Sequence, residues 1–560
     1  MGREEPAAEQ RPSAGEEGGD EDRLAQFGYK QELQRDWGLA HNFGVSFSII
    51  SVITGITTLF SYGLNTGGPA VMSVGWIIVS FFTLLVAIAM AEIVSAIPTS
   101  GGPYFWAAML APPRWSPFAA WLTGWFNLLG QVAVTTGISF GLANLIPTAI
   151  TVKNPSFTPT PRVTIGIYAA ILVSHGIVNT FGVRLLRLLN NVSIILHSAG
   201  ITALCIAVLA KAPTHQPASF VFGNLHDGTG VVVEDSEGGT GTETGTGTGT
   251  VVGWGIRASP VYVAVCGALL SQYTLTGFDA SAHLSEETKK ASWSAPIGVV
   301  SSVGFSAVFG FFVLMAFLFS IQDFDRVLNS AYGQPVLQIL VDVAGEDGAL
   351  ALFSLIMVCV WHCGLFSMTS NSRMMFAFAR DGGIHPFFHK VDARFRSPTR
   401  AVWLAATLSF ALALPSLGSS VAFAAATSIA TIGLYVSYGL PILIGLICHR
   451  SFTAMKGPFN LHALSRPTAA AACLWIGFIT IIFCLPTANP VTSQTFNYTA
   501  VAVGIVTVFA VGSWVVWARR WFTGPSGEVA EAMRLGVDII EPGALEEREK
   551  EGKEGEGGGP

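Results

Sequence analysis

Charge is scarce in this chain. Asp, Glu, Lys and Arg make up 12% of its 560 residues, against roughly 25% in soluble globular domains. A soluble protein of apolar helices would still keep a charged outer face, so the shortage points to lipid as the solvent. Cysteine is also sparse: seven residues, at 205, 266, 359, 363, 448, 473 and 484, all within apolar stretches. None shows paired spacing in a connecting loop, which excludes a disulfide framework and a zinc site; Cys359 and Cys363 stand i,i+4 on a helix, a spacing that usually serves packing. No nucleotide motif, nucleophile–base pair or metal-ligand cluster emerges, so neither an ATP-driven pump nor a membrane enzyme is expected, and no cofactor is implied. The N-terminal stretch has no apolar core flanked by basic residues, so no cleaved signal peptide is expected.

What is present is apolar. The chain is 51% hydrophobic, with 61 Gly and 38 Phe, and its mean hydropathy is +0.53. A helix crossing the hydrocarbon needs about 20 apolar residues at about 1.5 Å of rise each. Scanned at that length, the sequence predicts an all-α integral membrane fold of twelve transmembrane helices. They lie near 43–64, 73–97, 118–147, 162–181, 190–211, 259–280, 297–320, 349–379, 399–416, 420–447, 469–487 and 498–518. The third and eighth are long enough to require strong tilt.

Residues 1–40 and 521–560 read as disordered tails around a transporter domain over 41–520. The connection at about 212–258 contains the run GGTGTETGTGTGT from Gly238 to Thr250 and is expected to be a flexible outer insertion. Basic residues gather in alternate connections: Arg114; Arg184 and Arg187; Lys289 and Lys290; Arg380 to Arg400; Arg450, Lys456 and Arg466. The remaining connections offer only Lys153, Lys211, Arg257 and Arg326, with Arg162 at a helix edge. That bias predicts both termini in the cytoplasm. The segment 380–400 either serves only as a topology determinant or also touches anionic headgroups. Asn497-Tyr498-Thr499 matches a glycosylation acceptor on the outer side.

Two spans carry chemistry. The first reads FSIISVITGITTLFSYGL, with Ser51, Thr54, Gly55, Thr57 and Thr58 at its middle. The sixth reads LLSQYTLTGFDASAHLSEETKK, interrupted by Gln272, Tyr273, Thr274, Thr276, Gly277 and Asp279. Small and hydroxylated residues at mid-membrane serve either close helix packing or local unwinding. Unwound, the freed N–H groups bind a carboxylate and the freed carbonyls an ammonium, which makes a zwitterion site. Ile53-Thr54-Gly55 and Leu275-Thr276-Gly277 are near-copies, each expected at the break of its helix, and such matched interruptions favour the second reading.

Asp279 is either a gate or amine partner, or a carboxylate bonded to local backbone near the inner interface. His197 is either a neutral core residue or a group that loads and releases a proton. Glu92 and Arg373 either pair as an inner gate or snorkel to the interface.

At these residues the chain resembles the amino acid–polyamine–organocation superfamily, in particular the fungal and plant branch of GABA permeases, bidirectional amino acid transporters and choline permeases. The matching stretches are Ser48–Phe60, Ala91–Val134, Gly277–Ser292 and Asn371–Gly383. The resemblance spans roughly residues 30–520, leaving out the tails and the Gly/Thr run.

The resemblance implies a LeuT-like 5+5 inverted repeat with discontinuous helices 1 and 6, two further helices, and alternating access. It assigns Ile53, Thr54 and Gly55 to the substrate carboxylate, and the backbone from Tyr273 through Thr274 to Thr276, beside Gly277, to the amine. Tyr273 falls at a gating aromatic and Asp279 at an acidic gate. Gln131, with Trp361 and Thr427, would form the side-chain pocket. Some members carry a lysine seven residues after the first Asn of an Asn-Asn pair, and here His197 stands at that offset from Asn190.

The expected function is proton-coupled secondary transport of an amino acid or GABA at the plasma membrane. One proton entering down 100 mV would supply about 2.3 kcal/mol, roughly 50-fold accumulation. Expected partners are a small amino acid or amine and membrane lipid; nucleic acid is not expected, and oligomeric state is open. The rivals are a choline or polyamine permease of the same fold and a nutrient receptor that does not transport.

Overall fold

The computed structural model describes residues 24–25, 27, 29–230, 232–234, 248–250, 252–417, 422–455, 457–492 and 495–525. Eleven segments among them are long and apolar enough to cross a membrane, one fewer than the sequence predicts. The sixth predicted span is present as three short helices, so the count of twelve is not confirmed.

The helices, in chain order, are α1 (Leu39–Ile50), α2 (Val52–Asn65), α3 (Gly68–Ala96), α4 (Pro103–Leu110), α5 (Ser116–Lys153), α6 (Pro161–Thr180) and α7 (Val183–Lys211). The short pieces α8 (Pro260–Gly267), α9 (Leu269–Thr274) and α10 (Ala280–His283) follow. Then come α11 (Ala291–Phe319), α12 (Pro335–Arg380), α13 (Thr399–Ala413), α14 (Ala422–Ile447), α15 (Ser465–Ile482) and α16 (Thr499–Val516). The unusual length of α12 has a local cause: Gly345, at φ 69 and ψ 175, separates a first helical stretch from the membrane-length one.

The exterior is apolar. On α3, Val74, Ile77, Ile78 and Phe81 face outward, as do Phe305, Val308 and Phe312 on α11 and Ile505 and Val508 on α16. Trp76 and Met90 of α3 turn inward. Contiguous apolar surface of this extent is what lipid, not water, accommodates. At the centre, α5 packs against α14, α12 and α4.

Two expectations about flexible chain need correction. The sequence places disorder through residue 40, but residues 29–38 run extended along the end of the sixth span: Trp37 N–H donates to Glu287 O at 3.0 Å and Lys289 N–H to Trp37 O at 2.8 Å. Tyr29, Leu33 and Trp37 are buried there, so apolar burial and backbone pairing together hold the segment. In the outer insertion, residues 218–223 form a helical turn, and Val232–Glu234 pairs antiparallel with Thr248–Thr250. Residues 235–247, 1–23 and 526–560 lie outside the described residues. Near the other end of the chain, the Asn497 amide donates to Phe483 O and to Leu485 O, both at 2.8 Å, tying the start of α16 to the end of α15.

Candidate substrate site

The first span is interrupted at Ser51, which sits at φ 30 and ψ 73 between α1 and α2. Ser51 N–H still closes α1 onto Phe47 O at 3.0 Å, and Thr54 N–H opens α2 on Ser51 O at 2.7 Å. The amides of Val52 and Ile53 between them have no acceptor among the described residues. A left-handed conformation costs a non-glycine residue about 1–2 kcal/mol, and side-chain bonds hold Ser51 in it. Its Oγ lies 2.6 Å from Thr54 Oγ1 and 2.8 Å from His197 Nε2. The break therefore falls two residues before Ile53-Thr54-Gly55, which forms the first turn of α2. The hydroxyl pair spanning that turn, rather than the glycine, fixes the position.

In the sixth span the Thr274 and Thr276 hydroxyls bond back to Leu270 O and Gln272 O, at 2.6 and 2.7 Å. Such back-bonding loosens helices. The helix then stops, and 275–279 is non-helical until α10 begins. Gly277 stands at φ +94, a conformation glycine adopts without steric cost.

The two spans meet closely at the glycines of the tripeptides. A side chain on Gly55 would strike Thr274, and one on Gly277 would strike Ile49. Beside this crossing lies a narrow cleft, lined by Ile49, Ile50, Thr54 and Gly55 from the first span and Tyr273, Thr274 and Thr276 from the sixth. Val134 and Ile138 of α5 and Cys363 of α12 complete the wall. Unpaired amides at the start of a 14-residue helix, next to this cleft, are suited to an anionic group.

Residues 42–509 match the family model described as amino acid permease. The chain belongs to the amino acid permease family. The permease is 42% identical to the rice protein named Amino-acid permease BAT1 homolog, over 90% of its own length and 95% of the relative's. It is 39% identical to Arabidopsis thaliana Amino-acid permease BAT1, with 90% and 96% covered. With the GABA-specific permease of Saccharomyces cerevisiae it shares 30% identity, with 92% and 88% covered. It is a transporter by family, not an enzyme, and a multi-pass membrane protein.

Of the residues the sequence singles out, Thr54, Gly55, Tyr273, Thr274 and Thr276 come together at the permease's cleft. Ile53 is fully buried outside the lining, and Gly277 packs beside it on Ile49. Gln131 is not part of a side-chain pocket: its Nε2 donates to Asp279 Oδ2 at 2.8 Å. Trp361 is turned away, donating to Ser174 Oγ at 3.1 Å. Thr427 is buried near the Tyr273 ring, across Gly137. His197 is buried in a π-helical turn at Leu196–Gly200 within α7, which rotates its ring toward Ser51.

Glu92 and Arg373 do not pair. The Glu92 carboxylate accepts from Ser465 Oγ at 2.7 Å and Leu461 N–H at 3.1 Å, whereas Arg373 Nε donates to Glu287 Oε1 at 2.8 Å. Each finds a nearer partner on a connection that spacing within spans does not reveal.

Arg373 belongs to a buried cluster at the end of the bundle where residues 29–38 lie. Glu287 also accepts from Trp37 Nε1 at 3.1 Å. Arg380 forks onto both oxygens of Glu286 at 3.1 Å, and Asp381 accepts from Tyr29 and Tyr104 at 2.8 and 2.9 Å. Burial pushes the Asp381 carboxyl above the usual carboxylate range, against the opposing pull of Arg380. His283, Glu286 and Glu287 are residues that sequence reasoning missed, and Ser51 is named there only within the hydroxyl cluster, with no role of its own. Ser48, Ser51 and Thr54 recur at every third position, and that hydroxyl stripe was the available signal for Ser51.

Proposed function

We propose that this permease is a proton-coupled amino acid transporter working by alternating access, with the cleft between the first and sixth spans as its substrate site. One observation carries the reading: a chain of hydrogen bonds runs from a titratable imidazole into that cleft. His197 Nδ1 lies 2.9 Å from Ser193 O, a carbonyl that only accepts, so Nδ1 bears the hydrogen. In the neutral ring Nε2 accepts from the Ser51 hydroxyl, and Ser51 Oγ in turn accepts from Thr54.

Protonation of Nε2 reverses this order. Nε2–H donates to Ser51, Ser51 donates to Thr54, and the Thr54 hydroxyl is released to donate into the cleft, where the substrate carboxylate sits beside the Val52 and Ile53 amides. Proton and carboxylate then favour each other's binding, which is the reciprocal coupling a symporter needs. His362 on α12 is the other imidazole facing His197.

The bundle end carrying residues 29–38 and the Glu287–Arg373 pair faces the cytoplasm, both termini lie there, and the plasma membrane is the site of action. Replacing His197 by alanine is expected to remove the part of the pH-driven accumulation that its proton supplies while some exchange survives. Unchanged pH dependence of uptake in reconstituted vesicles would remove His197 from the cycle.

The cleft favours a carboxylate-bearing substrate over choline. Of Tyr273, Phe278, Trp361 and Phe366, only Tyr273 lines it; Phe278 packs on Tyr438 at 5.2 Å between centroids, and Trp361 on His175 at 5.2 Å. An aromatic cage for a quaternary amine needs several faces around one point. In competition for uptake, GABA and neutral amino acids should displace label where choline and spermidine do not. Displacement by choline alone would mean that the Val52–Gly55 turn does not bind a carboxylate.

A further inference from the structure

Asp279 and His283 stand four residues apart, at the two ends of α10. Both side chains have no exposed surface, and His283 Nε2 stands 3.2 Å from Asp279 Oδ2. The other ring nitrogen, Nδ1, lies 2.9 Å from Ser100 O in the connection between α3 and α4. A carbonyl and a carboxylate only accept hydrogen bonds. A neutral imidazole has one hydrogen; on Nδ1 it satisfies the Ser100 contact and leaves Nε2, which has no hydrogen-bond partner among the described residues, with its lone pair beside the carboxylate. With no water-accessible surface at either group, that second contact would set two acceptors against each other in a low-dielectric interior, where unpaired polar atoms are costly. One additional proton resolves it, as imidazolium with carboxylate or as imidazole with carboxylic acid.

We infer that Asp279 and His283 together bind one transported proton, distinct from that at His197, and release it as this end of the permease opens. The inference rests on the proposed direction of transport, in which this end faces the cytoplasm. While the end is closed, the shared proton joins the sixth span to the Ser100 connection through the His283 ring. When α10 moves away from that connection, Nδ1 loses the Ser100 carbonyl and the pair meets water. The proton leaves to water, the pair is left as a carboxylate and a neutral imidazole, and the two separate.

The surroundings suit a site that changes charge. Gln131 Nε2 donates to Asp279 from α5, and Asp279 Oδ1 has no partner among the described residues. Tyr435 and Tyr438 on α14 are its phenolic neighbours. From α12 the nearest charge, Arg373, is bound to Glu287. Helix α11 contains no ionisable residue, and the one such residue of α1, His41, packs edge-on against Trp37. Beyond Ser100, whose N–H donates to Glu286 Oε1 at 3.0 Å, the Glu286–Arg380 pair lies on the way to the bundle end.

The test uses the full chain in liposomes at zero voltage with an inward gradient of one pH unit. One coupled proton fewer lowers the steady-state accumulation about ten-fold. His283→Gln should show that loss, with counterflow, which moves no net proton, falling less. An accumulation ratio equal to the wild type in both His283→Gln and Asp279→Asn would overturn the inference. Should the variants not fold, nitrogen NMR of the histidine-labelled wild type decides. Two ring hydrogens on His283, or one beside a protonated Asp279, supports the pair; one ring hydrogen beside an ionised Asp279 overturns it. Failure of the wild type to exchange any amino acid would sink the substrate reading instead, and the ring spectrum would still decide the pair.

Discussion

Replacing Gly55 by valine is expected to lower uptake of the proposed substrate by about a hundred-fold or more, the scale on which a misplacement of about 1 Å acts in a positioned site. The cause is geometric. Gly55 lies where α2 crosses the sixth span, and even a single added carbon would meet the Cα, Cβ and hydroxyl of Thr274. Overpacking of this kind costs about 1–3 kcal/mol, and the amount of variant reaching the membrane is measured beside its uptake. Gly55→Ala should be milder and should regain part of its loss when Thr274 is also changed to Gly, because the obstructing side chain is then gone. Labelled uptake normalised to protein in the membrane reads both. Near-normal uptake by the valine variant would mean that the two spans do not meet at this glycine.

The second large effect is on stability. Arg373 is fully buried, and its Nε bonds to Glu287, also fully buried. Removing one partner of a buried ion pair leaves an uncompensated charge, at a cost of about 3–5 kcal/mol. Glu287→Ala should therefore lower the thermal midpoint of the detergent-purified permease well below that of the wild type. It should also loosen residues 29–38, because Trp37 Nε1 loses its acceptor. Replacing both partners, as Glu287→Leu with Arg373→Met, removes the stranded charge and should be less damaging than Glu287→Ala alone. A double variant as unstable as the single one would show that the charge is not the cause.

The contrast between these two sites shows what the sequence reveals. The spans and the two interrupted helices are local facts: apolar length and a hydroxyl cluster are each read within about twenty consecutive residues, and the tripeptide is such a local pattern met twice. Thr54, Gly55, Tyr273, Thr274 and Thr276 were therefore readable as a group, and the cleft brings them together. The break itself was misplaced by two residues, because it depends on where Ser51 finds His197, a partner 146 positions away.

The ion pairs were not readable at all. Arg373 looked free to meet Glu92 because both lie near span ends, but Glu287 is held on the connection that residues 29–38 brace. The resemblance places Gln131 in the side-chain pocket, whereas its partner, Asp279, is 148 positions away. Pairings across such separations follow from how helices stack, which no single segment encodes.

The amide of Asn497 bears two hydrogens, and both are engaged, one on Phe483 O and one on Leu485 O. Attaching a glycan would substitute one of those hydrogens and release one end of the bracket between the last two membrane helices. The Asn-Tyr-Thr sequence is thus built as a clamp: an oligosaccharyl transferase would have to open it before it could use it, and the folded permease offers that asparagine no spare valence.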